Sequence, residues 1–405
     1  MNKIWWLVLT VLFIVGVLLR LDALLLITFL LALIGMTAWL WQRTCLQGVQ
    51  YRREFESTRL FYGDVTELRI EVTNAKPLPL PWLRAEDEFS SALEVTPEKA
   101  VYSFRSGRRI LSNLLTLRWY ERVTRRFQVR GTRRGLWHFG PASLASGDLF
   151  GFGLKYEQVE GQTSILIYPK LLSLPDMGIP ALRPFGDLAT SRRLVTDPMR
   201  IMGARPYVSG DSYRHIHWKA TARHRELQTK VFEPVAARPV AIFVNVNTSR
   251  YLIEGLDTEL REYAISAAAS VARWACESGQ PTGMYANAVM QPGGLRLRLP
   301  PRIHPDQLLE ILESLARLTG YGRWPMETLV AEESRHFAYG TAVVVVSAVV
   351  SDELKEVLVD LNARGSTATL ITVGEPMDAD LPVEIRHFPI GGRKEWNELA
   401  SLAMD

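Results

Sequence analysis

The stretch Thr341-Ala-Val-Val-Val-Val-Ser347 decides how the C-terminal half of this chain folds. Four consecutive β-branched valines between small polar residues form a short continuous apolar run, the pattern of a strand buried on both faces of a parallel sheet. Reading outward from it, strands alternate with amphipathic helices in both directions. Upstream, residues 239–246 are a second buried-strand run. Residues 256–277 predict a long helix that stops before Gly279, and 283–289 predict a strand. A small hairpin follows at Gly293-Gly294, and 305–318 and 326–338 predict two more helices. Downstream, 352–363 reads as a helix ended by Gly365, 368–373 and 383–388 as strands, and a last helix begins near Lys394. This alternation predicts a doubly wound α/β domain over residues 235–405, with ligands expected at the carboxyl ends of the strands.

The other end of the chain is chemically opposite. Residues 4–19 carry no charge and are apolar except for Thr10 and Gly16. Arg20-Leu21-Asp22 interrupts, and a second uncharged run fills 23–41. About 20 apolar residues span a bilayer as a helix, because lipid leaves the backbone to satisfy its own hydrogen bonds. No small-x-small cleavage site precedes the second run, so a helical hairpin over residues 1–45 is preferred to a cleaved leader. Trp5, Trp6, Trp39 and Trp41 stand at the ends of the runs, at headgroup level. Lys3, Arg43, Arg52 and Arg53 flank the hairpin, against Arg20 alone at its tip. The positive-inside rule then expects both termini and the soluble domains in the cytoplasm.

The composition sets further bounds. The chain has 405 residues, 47 Lys and Arg against 43 Asp and Glu, and a formal charge of +4, too weak a bias to imply a nucleic-acid partner. Its two cysteines, Cys45 and Cys276, exclude a disulfide framework and a cysteine-rich zinc site.

Residues 51–175 read as a β module. The segment 68–73 alternates apolar and polar, and 100–104, 113–119, 122–129 and 164–168 are further strand candidates between turn signals. Short, evenly spaced strands suggest an antiparallel, immunoglobulin-like sandwich. Ten arginines fall between Arg105 and Arg134 with Glu121 the sole acid among them. They form either a basic face held against an anionic leaflet or acidic partner, or the solvent side of alternating strands.

Residues 176–234 are dense in special residues. They include Asp197-Pro198, Gly203, Arg205, Tyr207, Gly210-Asp211, Arg214, Ile216, Trp218-Lys219, Thr221-Ala222-Arg223, Lys230 and Phe232-Glu233. This pattern, preceded by the Asp148-Leu-Phe-Gly151 element, resembles the signature of the bacterial "domain of unknown function 58" family. The mixture of Arg205, Arg214, Lys219, Arg223 and Lys230 with carboxylates around Tyr207 and Trp218 suits a buried polar network fixing a linker between domains. Its alternative is a patch that binds an anionic ligand or a partner. His215 and His217, with Asp211, form a candidate metal set if they lie on a strand, since His-x-His then puts both rings on one face. Solvent-facing histidines are the competing reading.

The resemblance implies a von Willebrand factor A-like fold for the α/β domain. In such domains the first strand leads into D-x-S-x-S, which holds a magnesium ion. Here the matching residues are Asn245-Val-Asn247-Thr-Ser249, with no carboxylate, and Ser347 stands near where a later aspartate is expected. A hard divalent ion needs carboxylate charge, so no metal and no other cofactor is expected. Thr319 is the nearest counterpart of a threonine ligand. Neither a nucleotide P-loop, nor H-E-x-x-H, nor a nucleophile elbow occurs.

The expectation is therefore a non-enzymatic scaffold in the bacterial inner membrane, anchored through residues 4–41. The resemblance implies a MoxR-type AAA+ ATPase as protein partner, in assembly or maturation of membrane or cell-envelope complexes, and a transglutaminase-like membrane protein as a second partner. The alternative is a metal-dependent enzyme or ligand-binding protein using Asp211, His215 and His217, or a residual site at Asn247 and Ser249.

Overall fold

The protein is described by a computed structural model covering residues 3–97, 100–104, 107–148, 153–180, 196–208, 213–234, 238–249, 255–374, 381–392 and 394–396. It divides into two compact units, Met1–Tyr168 and Pro169–Asp405.

The first unit opens with two helices, α1 (Lys3–Leu18) and α2 (Asp22–Thr44). Arg20 adopts a φ of +52° in the turn between them, where Leu21 N donates to Gly16 O at 3.0 Å. The helices approach closely at Gly16, where a Cβ would lie 2.8 Å from Leu25 Cδ2. Large apolar side chains along both helices, among them Leu7, Phe13, Leu18, Phe29 and Met36, are exposed. Helix α2 is long and apolar enough to cross a membrane, whereas the apolar stretch Trp5–Leu18 is shorter. At 1.5 Å per residue, α2 reaches about 34 Å against about 30 Å of hydrocarbon, and α1 about 24 Å.

Among the described residues of this unit eleven strands follow: β1 (Val49–Phe55), β2 (Arg59–Leu60), β3 (Val65–Asn74), β4 (Leu80–Ser90), β5 (Leu93–Thr96), β6 (Ala100–Tyr102), β7 (Arg108–Leu117), β8 (Arg122–Gly131), β9 (Gly135–Gly147), β10 (Leu154–Val159) and β11 (Thr163–Ile167). One sheet has the order β1-β3-β8-β5, the other β2-β11-β9-β4-β7-β6 with β10 added to β9. Both sheets contribute to one core. Leu68, Ile70 and Val72 of β3 and Phe127 and Val129 of β8 join Phe89 of β4, Leu111 of β7, Phe139 of β9 and Ile167 of β11. Phe89 and Phe139 stack at 5.1 Å.

Strands β4 and β9 escape the sequence reading because prolines interrupt them. Pro81 falls within the register shift between Leu80 and Leu83, and Gly140-Pro141 lies opposite the shift between Asp87 and Phe89. A proline without an N–H is tolerated where the ladder is already broken.

The arginine-rich stretch resolves into mixed charge. Arg122 pairs with Glu71 at 3.3 Å, Arg126 lies 3.8 Å from Glu67, and Arg108 meets Glu88 at 3.0 Å, while Arg134 is buried. The acids come from neighbouring strands, which a reading along the chain does not bring together. Such exposed pairs each contribute about 0.2–1 kcal/mol.

The second unit contains an antiparallel pair, β12 (Thr196–Pro206) and β13 (Gln228–Pro234), with helix α3 (Trp218–His224) between them. Residues expected to link domains are thus an arm with its own secondary structure. An α/β layer follows: β14 (Val240–Val244), α4 (Thr258–Glu277), β15 (Thr282–Met290), β16 (Arg296–Arg302), α5 (Gln307–Ala316), β17 (Leu318–Thr319), α6 (Met326–Ser334), β18 (Ala342–Ser347), α7 (Asp352–Ala363), β19 (Thr367–Thr372) and β20 (Arg386–Pro389).

The sheet order is β16-β15-β14-β18-β19-β20, with β17 added to β15. From β15 to β20 the neighbours are parallel. The four valines of β18 are fully buried at the centre, as their unbroken run predicts. Strand β16 is antiparallel and sits at the edge, where Pro300 and Pro301 are tolerated. Strand order reverses about β14 and β18: β14 leads to β15 on one side, β18 to β19 on the other. Their adjacent carboxyl ends form the crevice where α/β sheets bind ligands.

Candidate functional site

The crest of the parallel sheet is built from amides. Asn245 and Ser347 follow directly from, or close, the two central strands, and Asn245 Nδ2 donates to Ser347 Oγ at 2.9 Å. Asn245 Oδ1 accepts from Asn247 N at 3.0 Å and from Asn287 Nδ2 at 2.8 Å. Asn287 Oδ1 accepts from Val246 N at 3.0 Å, and its Nδ2 also reaches Trp324 O at 3.3 Å. Asn247 Oδ1 accepts from Gly322 N at 2.8 Å. Gly322 has no room for a side chain, since a Cβ would lie 2.2 Å from Asn287 Nδ2.

A cavity of about 360 Å³ lies over this network, lined in part by Asn247, Ser249, Arg323, Glu327 and Ser351. Its carboxylate, Glu327, stands 3.4 Å from Ser351 Oγ. The three first-loop positions expected from the sequence, Asn245, Asn247 and Ser249, line this cavity and Asn245 meets Ser347, but Asn245 turns an N–H donor toward it and the amide oxygens of Asn245 and Asn247 are already engaged. Such a neutral, internally satisfied set does not suit a divalent cation. Thr319 pairs with Val289 in the ladder and does not line the cavity. Sequence reasoning missed Asn287, which lies in a buried strand run; its signal was being the one amide in that run.

The arm presents a different surface. Ile216 is buried and bridges to Thr229, Thr221 Oγ1 accepts from Gln228 N at 3.0 Å, and His217 N donates to Gln228 O at 2.7 Å. These contacts hold α3 on β13. Several other described side chains of the segment are exposed. Tyr213 is 75% exposed and Trp218 69%, with Val208 and Leu227 also exposed. Tyr207 and Tyr213 stack at 6.0 Å. Arg205, Arg214, Lys219 and Arg223 are exposed and Lys230 is half-buried. In the arm the apolar anchor at Ile216 is buried, whereas the Arg205, Arg214, Lys219 and Arg223 side chains are exposed. Gly210 and Asp211 lie outside the described residues.

The histidines are not on a strand either. His215 closes a single 3-10 turn and is exposed, while His217 caps α3, its Nδ1 accepting from Ala220 N at 3.1 Å. Capping commits Nδ1 of His217 to the helix terminus. Among the described residues, no group of three or more His, Cys, Asp or Glu side chains is placed to hold a metal ion.

The arm and the α/β layer carry a match to a known family. Residues 203–386 match the family described as "Protein of unknown function DUF58". The DUF58 match begins inside β12 and ends at β20, so it takes in both the exposed arm and the amide crest. A relative from Bacillus subtilis (strain 168), "Uncharacterized protein YeaD", is 22% identical over 240 residues, 59% of this chain and 56% of that protein. The chain thus matches about half the length of that relative.

Solved structures resemble parts of the chain. Trypsin-activated alpha-2-macroglobulin from Escherichia coli is 19% identical at a TM-score of 0.23, covering 31% of this chain and 7% of that one. The CARDB domain of PF1109 from Pyrococcus furiosus is 9% identical at 0.19, covering 29% and 91%. A cohesin module from Clostridium perfringens is 11% identical at 0.20, covering 30% and 95%. At these scores the likenesses carry no argument.

Proposed function

We propose that the protein is a non-enzymatic scaffold of the bacterial inner membrane that binds protein partners through its second unit. In this reading α1 and α2 both cross the bilayer as a hairpin, with both termini and the soluble units cytoplasmic. The α/β layer is a von Willebrand factor A-like domain whose metal loop has become an amide network. The partner is a MoxR-type AAA+ ATPase, acting in assembly or maturation of membrane or envelope complexes, with a transglutaminase-like membrane protein as a second partner.

The exposed arm carries this reading. Aromatic rings beside arginines are the composition of interface anchors, because each buries a large area with few torsions to immobilise. Tyr213 and Trp218 left in water, among Arg214, Lys219 and Arg223, are such a surface. An acidic face on the ATPase is its complement.

Crosslinking pull-down from native membranes tests the partner. The wild-type chain is expected to recover an AAA+ ATPase, and a Trp218→Ala, Arg214→Glu variant to lose most of that recovery while remaining folded. Recovery of no AAA+ ATPase with intact bait, or equal recovery by the variant, would overturn the proposal. Metal analysis tests the non-enzymatic part: the purified chain is expected to hold neither zinc nor magnesium in stoichiometric amount. Stoichiometric zinc that disappears in His217→Ala would contradict it.

A further inference from the structure

We infer that the first unit meets the membrane a second time: the tip of the β7–β8 hairpin, Trp119-Tyr120, sits in the headgroup layer of the leaflet from which α2 emerges. This rests on the reading that α2 crosses the bilayer.

The tip is fixed to the end of α2 through one continuous set of contacts. Residues 75–79 connect β3 to β4, and Pro77 and Leu78 share a hollow with Thr37, Leu40, Trp41 and Thr44, about two turns of α2. The connection therefore runs along the last turns of the helix. Lys76, in the same connection, donates from Nζ to Thr44 O at 3.1 Å, to Gln47 O at 2.9 Å and to Cys45 O. Its own carbonyl oxygen accepts from Tyr120 N at 3.3 Å. Asn74, fully buried, locks connection and hairpin together. Its Nδ2 donates to Leu78 O at 2.9 Å and to Arg118 O at 2.8 Å, and its backbone N donates to Glu121 O at 2.8 Å. Glu121 Oε2 accepts from Arg118 N at 2.5 Å and closes the turn.

Two rings stand out of this fixed base. Trp119 is 65% exposed and Tyr120 68%. Tyr120 has a φ of +53°, a left-handed backbone that Gly or Asn adopts with less strain. A bulky ring kept at such a position and left exposed adds little to the core, which points to a role outside the fold.

Helix length sets the depth of the tip. Helix α2 reaches about 34 Å, against about 30 Å of hydrocarbon and about 40–45 Å of whole bilayer, so its last turn lies among the headgroups. A tip bonded to the connection beside that turn meets the same layer. Trp and Tyr settle there because each joins an apolar ring body to one polar atom. Arg118, exposed beside them, is a cation of the kind that anionic headgroups attract. A protein partner would have to displace lipid from this tip, whereas the headgroup layer already surrounds the helix end.

The test is electron paramagnetic resonance of the full chain in nanodiscs of phosphatidylcholine and phosphatidylglycerol. The chain carries Cys45→Ala and Cys276→Ala and one spin label, on Trp119→Cys, on Leu33→Cys half-way along α2, or on Val65→Cys. Val65 is exposed at the far end of β3, about 30 Å from Asn74. Apolar oxygen concentrates in hydrocarbon and a polar nickel chelate in water, so the ratio of their relaxation effects reads depth. The ratio at 119 is expected to fall between those at 33 and 65. Tyr120→Asn, which suits the left-handed backbone and removes the ring, is expected to shift the value at 119 toward that at 65, with the near-ultraviolet spectrum of the sandwich retained. A ratio at 119 equal to that at 65, or one that Tyr120→Asn leaves unmoved, would overturn the proposal while 33 stays deep. A ratio at 33 as low as that at 65 would overturn the membrane-crossing reading instead.

Discussion

Asp87→Ala is expected to destabilise the sandwich by about 3–5 kcal/mol, the cost of leaving a buried charge without its partner. The Asp87 side chain is fully buried and pairs with the Arg53 guanidinium, itself 7% exposed. Tyr51 donates its hydroxyl to the same carboxylate. Burial pushes the Asp87 carboxyl above its ordinary value, while Arg53 and Tyr51 pull it back. Remove the carboxylate and Arg53 keeps only Gly161 O at 3.1 Å, Thr163 Oγ1 at 3.4 Å and the face of Phe139 at 5.4 Å. The guanidinium then remains charged in a low-dielectric site. Replacing both partners with apolar residues of similar volume, Arg53→Met with Asp87→Leu, is expected to restore most of the loss. Thermal unfolding of the full chain in detergent, followed by near-ultraviolet circular dichroism, measures both. A single-variant loss below about 1 kcal/mol would contradict the assignment.

The second large effect is expected at the crest. Asn287→Ala should destabilise the α/β layer by about 3 kcal/mol, summing the penalties for buried groups left without partners. The variant strips Val246 N of its acceptor and Trp324 O of a donor, and leaves Asn245 Oδ1 with Asn247 N alone. Asn287 is almost completely buried, so water does not replace it without opening the site. Denaturant titration of the full chain checks this. If stability is unchanged but partner recovery falls, the amide network serves binding and not the fold.

Much of the α/β layer was legible in the sequence because its signals are local. Val343 to Val346 read as a buried strand and are one, and Gly279 and Gly365 follow helices α4 and α7 where expected. The helix expected over 326–338 ends at Ser334, because the next residues turn, His336 N donating to Glu333 O at 3.0 Å, and put Phe337 on Phe243 and Tyr285. Strand β20 begins at Arg386 and not at Val383, which is fully exposed.

The sandwich was less legible. Its longest strand, β9, contains Gly140-Pro141, and only its pairing with β4 shows that the break is accommodated. The crest was half legible. Asn245, Asn247 and Ser249 are adjacent in sequence, whereas Asn287 and Gly322 reach them only through the parallel packing of β14 and β15. For the arm, residue types alone did not say which would be buried. The answer lay in the pairing of Ile216 with Thr229, 13 positions away along the chain.

The three bonds from Lys76 to the end of α2 have a mechanical consequence. Lys76 belongs to the connection that leaves β3 and enters β4, one strand of each sheet, and Lys155 of β10 bonds Arg43 O, so the end of the helix is clamped to the sandwich from two sides. In the proposed reading, where α2 crosses the bilayer, a change in thickness that tilts α2 swings the sandwich through the same angle, like an oar in its lock. On that reading the first unit would convert the physical state of the surrounding lipid into the heading of the protein mass it carries.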